Sequence, residues 1–202
     1  MNHLIYKNNL ECDFSHYISL VDESSRYEND TSNYIFCPEI EEVLQHDGNS
    51  NNSVNQICEN LTKLTSEYVD TRDVELFSAW INVHLPGDNT PPHAHNIADF
   101  TTIYYIDIPA GSGDLYIQKP DGDIDKHTPK QYDFIAMPGD YVHATGRNKS
   151  SSNRVSLVAD WHYKDTTKSK EIDQSFEVIV TKALNDLLKA DGVKYTDWHR
   201  II

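Results

Sequence analysis

The sequence predicts an α+β fold: an antiparallel jelly roll or sandwich, with supporting helices packed on one sheet. Three observations predict it. Five segments between Leu76 and Tyr163 carry the β-branched and aromatic content of strands. Turn signals separate them at short spacing, and strands so close in sequence pair antiparallel. Helical periodicity is confined to segments before and after this block.

The elements follow in order. The residues before about Phe36 carry little pattern; several aromatic positions there offer an edge strand. His46-Asp47-Gly48-Asn49-Ser50-Asn51-Asn52-Ser53 is polar and turn-rich, hence a loop. Ser53 and Gln56 form a capping box, and Ile57, Leu61, Leu64 and Tyr68 then share one helical face. The period changes to two for strands over Leu76–Leu85, Phe100–Ile108, Asp114–Gln118, Tyr132–Met137 and Arg154–Tyr163. Between them lie the turns Pro86-Gly87-Asp88-Asn89, Ala110-Gly111-Ser112-Gly113, Pro120-Asp121-Gly122-Asp123 and Pro138-Gly139-Asp140. A last helix spans about residues 174–191: Phe176, Ile179, Val180, Ala183, Leu184, Leu187 and Leu188 line one face, and Gly192 suits the stop. The expected organisation is one domain over residues 1–202, with an N-terminal strand and helix region (1–75), a motif core (79–163) and the C-terminal helix.

Bulk properties narrow the function classes. A chain of 202 residues has ample length for one core. Its net charge of −15 disfavours nucleic acid and anionic membrane surfaces as partners, both of which select basic patches. Cys12, Cys37 and Cys58 are odd in number, widely spaced and form no CxxC, which fits reduced thiols in the core and a cytoplasmic location. The first residues hold no long apolar run, so neither a signal peptide nor a membrane span is expected.

The chemistry concentrates in four residues. His93 and His95 in Pro92-His93-Ala94-His95 project from one side of extended chain. His143 follows a Pro-Gly-Asp turn that delivers it to the sheet rim, and antiparallel hairpins bring it back to the pair. Imidazole suits Fe, Zn, Cu and Ni, so His93, His95 and His143 read as metal ligands. Arg154 begins an apolar strand, where a guanidinium needs a partner. Ser156 lies on the same side, and the two form a clamp for a carboxylate. Tyr105 on a neighbouring strand adds a phenol. Trp80, Asn82 and His84 alternate on one strand face, positioned to line the pocket, with Trp80 the more suited to core packing. His127 and His162 carry no assigned role.

These residues resemble the 2-oxoglutarate- and Fe(II)-dependent oxygenases on a cupin-like double-stranded β-helix. Thr101-Thr102-Ile103-Tyr104-Tyr105-Ile106 resembles the strand that follows the HxD motif in prolyl hydroxylases, and Arg154 with Ser156 resembles the RxS co-substrate motif. The resemblance covers roughly Ala79 to Tyr163 and is closest to an HxH variant of the family. It implies Fe(II) held by His93, His95 and His143. It implies 2-oxoglutarate as small-molecule co-substrate on Arg154, Ser156 and Tyr105, with Asn82 and Trp161 completing the pocket. It further implies O2, and ascorbate as a supporting reductant. The implied activity is hydroxylation of a protein, peptide or small-molecule prime substrate, with release of succinate and CO2; a homodimer is compatible with it. One departure stands out: His95 occupies the place of the carboxylate in the usual facial triad, and Asp99, four residues on, is the alternative third ligand. Two other readings share the motifs. One is a cupin-like three-His enzyme without 2-oxoglutarate. The other is a non-catalytic β-helix binding protein with a relic site.

Overall fold

The computed structural model describes residues 4–7, 65, 74–164, 178–193 and 200–201. The expected Ser53–Tyr68 helix lies outside them, apart from Thr65, which is helical and buried.

Alternating sequence produces two facing antiparallel sheets. The larger has five strands in the order β1 (Leu4–Lys7), β6 (Asp133–Pro138), β3 (Phe100–Asp107), β8 (Arg154–Tyr163) and β2 (Val74–His84). The smaller has the order β5 (Ile124–His127), β4 (Leu115–Gln118) and β7 (Val142–Thr145). The edge strand offered by the N-terminal residues is β1, paired with β6. β5 and β7 carry only four residues each and are strands that the sequence pattern did not single out.

The period of two assigns each side chain of the large sheet to a layer. Ile103 and Tyr105 of β3, Ile135 and Met137 of β6 and Val158 of β8 meet Leu115 and Ile117 of the small sheet in one buried cluster. The alternate residues, Phe100, Tyr104, Phe134, Leu157, Ala159 and Trp161, form a second cluster on the opposite face. In register, His84 stands across from Arg154, Asn82 from Ser156 and Trp80 from Val158, while Tyr105 flanks Ser156 on its other side. This row of polar side chains lies on the inner face.

The C-terminal helix is shorter than its apolar pattern suggested. Ile179–Val180 form a two-residue strand, β9, parallel to β10 (Arg200–Ile201). Helix α1 runs over Lys182–Ala190, with the Thr181 hydroxyl accepting from Leu184 N. The β-branched run Val178-Ile179-Val180 favours extended chain, and Thr181, directly after it, caps the helix. The stop occurs as expected: Gly192 is left-handed at φ +81°, and Val193 N returns to Leu188 O. Leu184 and Leu188 pack on Tyr116, Val142 and Ala144, the outer face of the small sheet. No helix among the described residues is long and apolar enough to cross a membrane.

Candidate metal centre and anion pocket

Backbone pairing brings the three histidines together. His93 and His143 form a reciprocal bridge, His93 N to His143 O at 3.0 Å and His143 N to His93 O at 2.9 Å. His143 lies inside β7 opposite Ile117, so it is a strand residue on the inner face rather than one on a loop at the rim. His95 is fixed by its own N–H, which donates to Gly139 O at 2.7 Å. The ring centroids are 4.3 to 5.1 Å apart, and the candidate ligand atoms lie within 4.8 Å of one another.

The hydrogen bonds fix the tautomers. His93 Nδ1 donates to Pro91 O at 2.9 Å and His143 Nδ1 to Tyr141 O at 3.1 Å. His95 Nδ1 donates to both oxygens of Asp160, at 2.8 and 3.0 Å. Each ring therefore spends its Nδ1 proton on an oxygen behind it, which leaves Nε2 as the nitrogen that carries the lone pair. His95 Nε2 is buried with no protein partner. Burial, with His93 and His95 adjoining, holds His143 well below the ordinary histidine value, so it is the neutral, ligating form. Three oriented imidazoles and an orphaned buried nitrogen fit a first-row transition metal. Asp99 is directed elsewhere: its carboxylate accepts from Tyr163 N at 3.0 Å and faces His162 Nδ1 at 3.5 Å. Trp80, half-buried, stacks on His95 at 5.5 Å and 8°.

Next to this cluster lies a buried cation. Arg154 is 1% exposed. Its Nη1 donates to Ser112 O and Gly113 O, both at 3.4 Å, and its Nε has no partner among the described residues. Among the described residues no carboxylate forms an ion pair with it. Tyr105 lies beneath the guanidinium, ring centroid 5.3 Å from Cζ. The Tyr105 hydroxyl is buried beside the guanidinium, and Asn82 Oδ1 is buried with no partner among the described residues. Burial raises Tyr105 to about 12, so the phenol keeps its proton and can donate it. His84 Nε2 bonds Thr90 Oγ1 at 2.7 Å, and burial, with Arg154 and His93 adding, lowers it to about 3. Among the described residues the positive charge of Arg154 has no carboxylate partner and has polar groups with spare hydrogen-bonding capacity around it, a combination that suits an anion.

Trp161 is not in the pocket: it lies on the opposite face, parallel to Phe100 at 6.2 Å, with Nε1 donating to Thr102 Oγ1. Its odd offset from Arg154 dictates this. Asp160, outside the sequence motifs, joins the site: its even offset from Arg154 and Ser156 places an acid on the site face of an otherwise apolar strand.

No family model matches the chain, and no curated protein matches it. Solved structures do. The α-ketoglutarate-dependent epimerase SnoN of nogalamycin biosynthesis is similar at TM-score 0.59 and 13% identity, covering 86% of each chain. Its complex with Fe3+, α-ketoglutarate and nogalamycin RO gives the same TM-score at 12% identity. A Pseudomonas putida prolyl-4-hydroxylase is similar at TM-score 0.58 and 12% identity, covering 80% of this chain and 92% of that one. The chain spans only 56% of a 2OG-Fe(II) oxygenase family protein from Burkholderia pseudomallei, at 15% identity and TM-score 0.47. The two facing sheets are therefore the double-stranded β-helix on which 2-oxoglutarate/Fe(II) oxygenases are built.

Proposed function

We propose that the chain is an Fe(II)- and 2-oxoglutarate-dependent oxygenase of the hydroxylase type, with His93, His95 and His143 as iron ligands. Arg154, Ser156 and Tyr105 anchor the distal carboxylate of 2-oxoglutarate, and Asn82 borders it. The observation that carries this reading is the buried Arg154, without a carboxylate partner among the described residues, on the inner face of the large sheet, together with three imidazoles whose candidate ligand atoms lie within 4.8 Å of one another. A dicarboxylate is the natural occupant, since one end answers the guanidinium while the other reaches the metal. Similarity in fold to enzymes described as α-ketoglutarate dependent supports the choice of keto acid.

When bound, iron would supply O2 activation coupled to decarboxylation of the keto acid, giving succinate, CO2 and a hydroxylated substrate. The chain's own part is positional. Arg154 and the Tyr105 hydroxyl hold one end of the co-substrate in a site from which water is excluded. The three Nδ1–H bonds keep the ligand rings oriented. Trp80 stacks on the His95 ring and helps hold its plane.

The test is succinate formation from 2-oxoglutarate by Fe(II)-loaded protein in air with ascorbate, alone and with candidate peptides and metabolites. Succinate that disappears in His143→Ala and Arg154→Ala is expected. Metal binding without 2-oxoglutarate binding would favour the cupin-like three-His enzyme, for which the all-imidazole donor set speaks. Binding of both without succinate would favour a binding protein.

A further inference from the structure

We infer that Asp160 is a positioning residue that supplies, through His95, the negative charge a three-histidine centre lacks; this rests on the metal-site reading above. A facial triad with a carboxylate ligand offsets part of the charge of a divalent ion directly. Here all three candidate ligands are neutral. The three are not equivalent, because His93 and His143 lean on backbone carbonyls while His95 leans on a carboxylate. The ligand that stands in the place of the acid is therefore the one with an acid behind it.

The geometry is specific. Asp160 is 4% exposed, in the interior of β8 and on the face of Arg154 and Ser156. Both its oxygens accept from His95 Nδ1, and Oδ1 also accepts from Thr101 Oγ1 at 2.7 Å. Thr101 and Asp160 are register partners on β3 and β8, so the sheet itself holds the carboxylate against the ring. A buried acid in an apolar strand is costly unless it is paired, and an imidazole that donates to it becomes a better donor at Nε2. The charge reaches the metal one ring removed, and the rigid bond fixes the direction from which His95 approaches.

Calorimetric titration of Co(II) into the metal-free full chain tests this. Asp160→Asn keeps the shape and removes the charge, and should weaken Co(II) about 10–100-fold. The same change in a His95→Asp background, where a carboxylate stands at the metal itself, should cost no affinity. Equal affinity of Asp160→Asn and wild type overturns the inference. So does an equal loss in both backgrounds, which is what a merely structural role would give. Failure of the metal-site reading looks different: wild type would not bind Co(II), or His143→Ala would bind it as tightly. A measurement on unmutated protein covers the case in which Asp160→Asn does not fold. In the Zn(II)-loaded chain the His95 Nδ1 proton, donated to a carboxylate, should resonate downfield of those of His93 and His143. Coincident resonances would contradict the inference.

Discussion

At the scale of single residues, charge decides the site. His84 is fully enclosed, beside the Arg154 guanidinium, with its proton affinity lowered from the ordinary 6.5 to about 3. Between these values the unfolded chain takes up a proton that the folded chain refuses, so stability falls as pH drops below 6.5. The slope is about 1.4 kcal/mol per pH unit for one histidine, hence about 2 kcal/mol lost by pH 5. His143 acts in the same direction. Urea unfolding of metal-free protein between pH 7 and 5 should show this slope, and His84→Gln should flatten it; a slope unchanged by the substitution would remove His84 from the account. Arg154→Lys replaces a planar fork with a point charge. A charge-assisted bidentate pair contributes roughly 1.5–3 kcal/mol, so 2-oxoglutarate should bind about tenfold more weakly or worse, with the fold intact. The clustering of the three histidines was legible from the HxH spacing with a distant third His, and Arg154 from a charge standing at the head of an apolar strand. Asp160 was not, because its partner His95 lies 65 positions away. Trp161 was placed wrongly by following motif order in place of the alternation that sends it to the other face.

At the scale of elements, the site is held by backbone contacts between a loop and a turn. Gly139 packs against the His95–Ala98 turn so closely that a Cβ there would lie 2.6 Å from His95 O and nearer still to Ala98 O. Gly139→Ala must push the Pro138-Gly139-Asp140 turn off the segment that carries His95, whose N–H bonds Gly139 O. The expected result is loss of metal affinity by tenfold or more with the sheets retained, read by calorimetry beside far-UV circular dichroism. Retained affinity would show that the contact relaxes freely. The five expected strands were legible because their content and turns are local. β5, Ile-Asp-Lys-His, is too short and too polar to signal a strand, and exists because β4 offers an edge. β7 and the His93–His143 bridge depend on pairing across the fold, which no local pattern encodes. The helix pattern over residues 174–191 was half right: periodicity identified the packed face of α1, while its start was set by β-branched residues and the Thr181 cap.

At the scale of the molecule, topology converts distant sequence into one centre. The order β1-β6-β3-β8-β2 places β8, with Arg154, Ser156 and Asp160, between β2 and β3, so residues from three strands converge on one inner face. The small sheet contributes His143 from the opposite side. His84, beside both Arg154 and His93, links the buried cation to the histidine cluster. The central claim is that the two halves work as one site, a metal that receives one end of a dicarboxylate whose other end is held by Arg154. The most direct measurement is calorimetric titration of 2-oxoglutarate into Mn(II)-loaded wild type, metal-free wild type, Mn(II)-loaded His143→Ala and Mn(II)-loaded Arg154→Ala. The account predicts binding to the first and at least tenfold weaker binding to the other three. Equal affinity for loaded and metal-free wild type, or for wild type and Arg154→Ala, would contradict it.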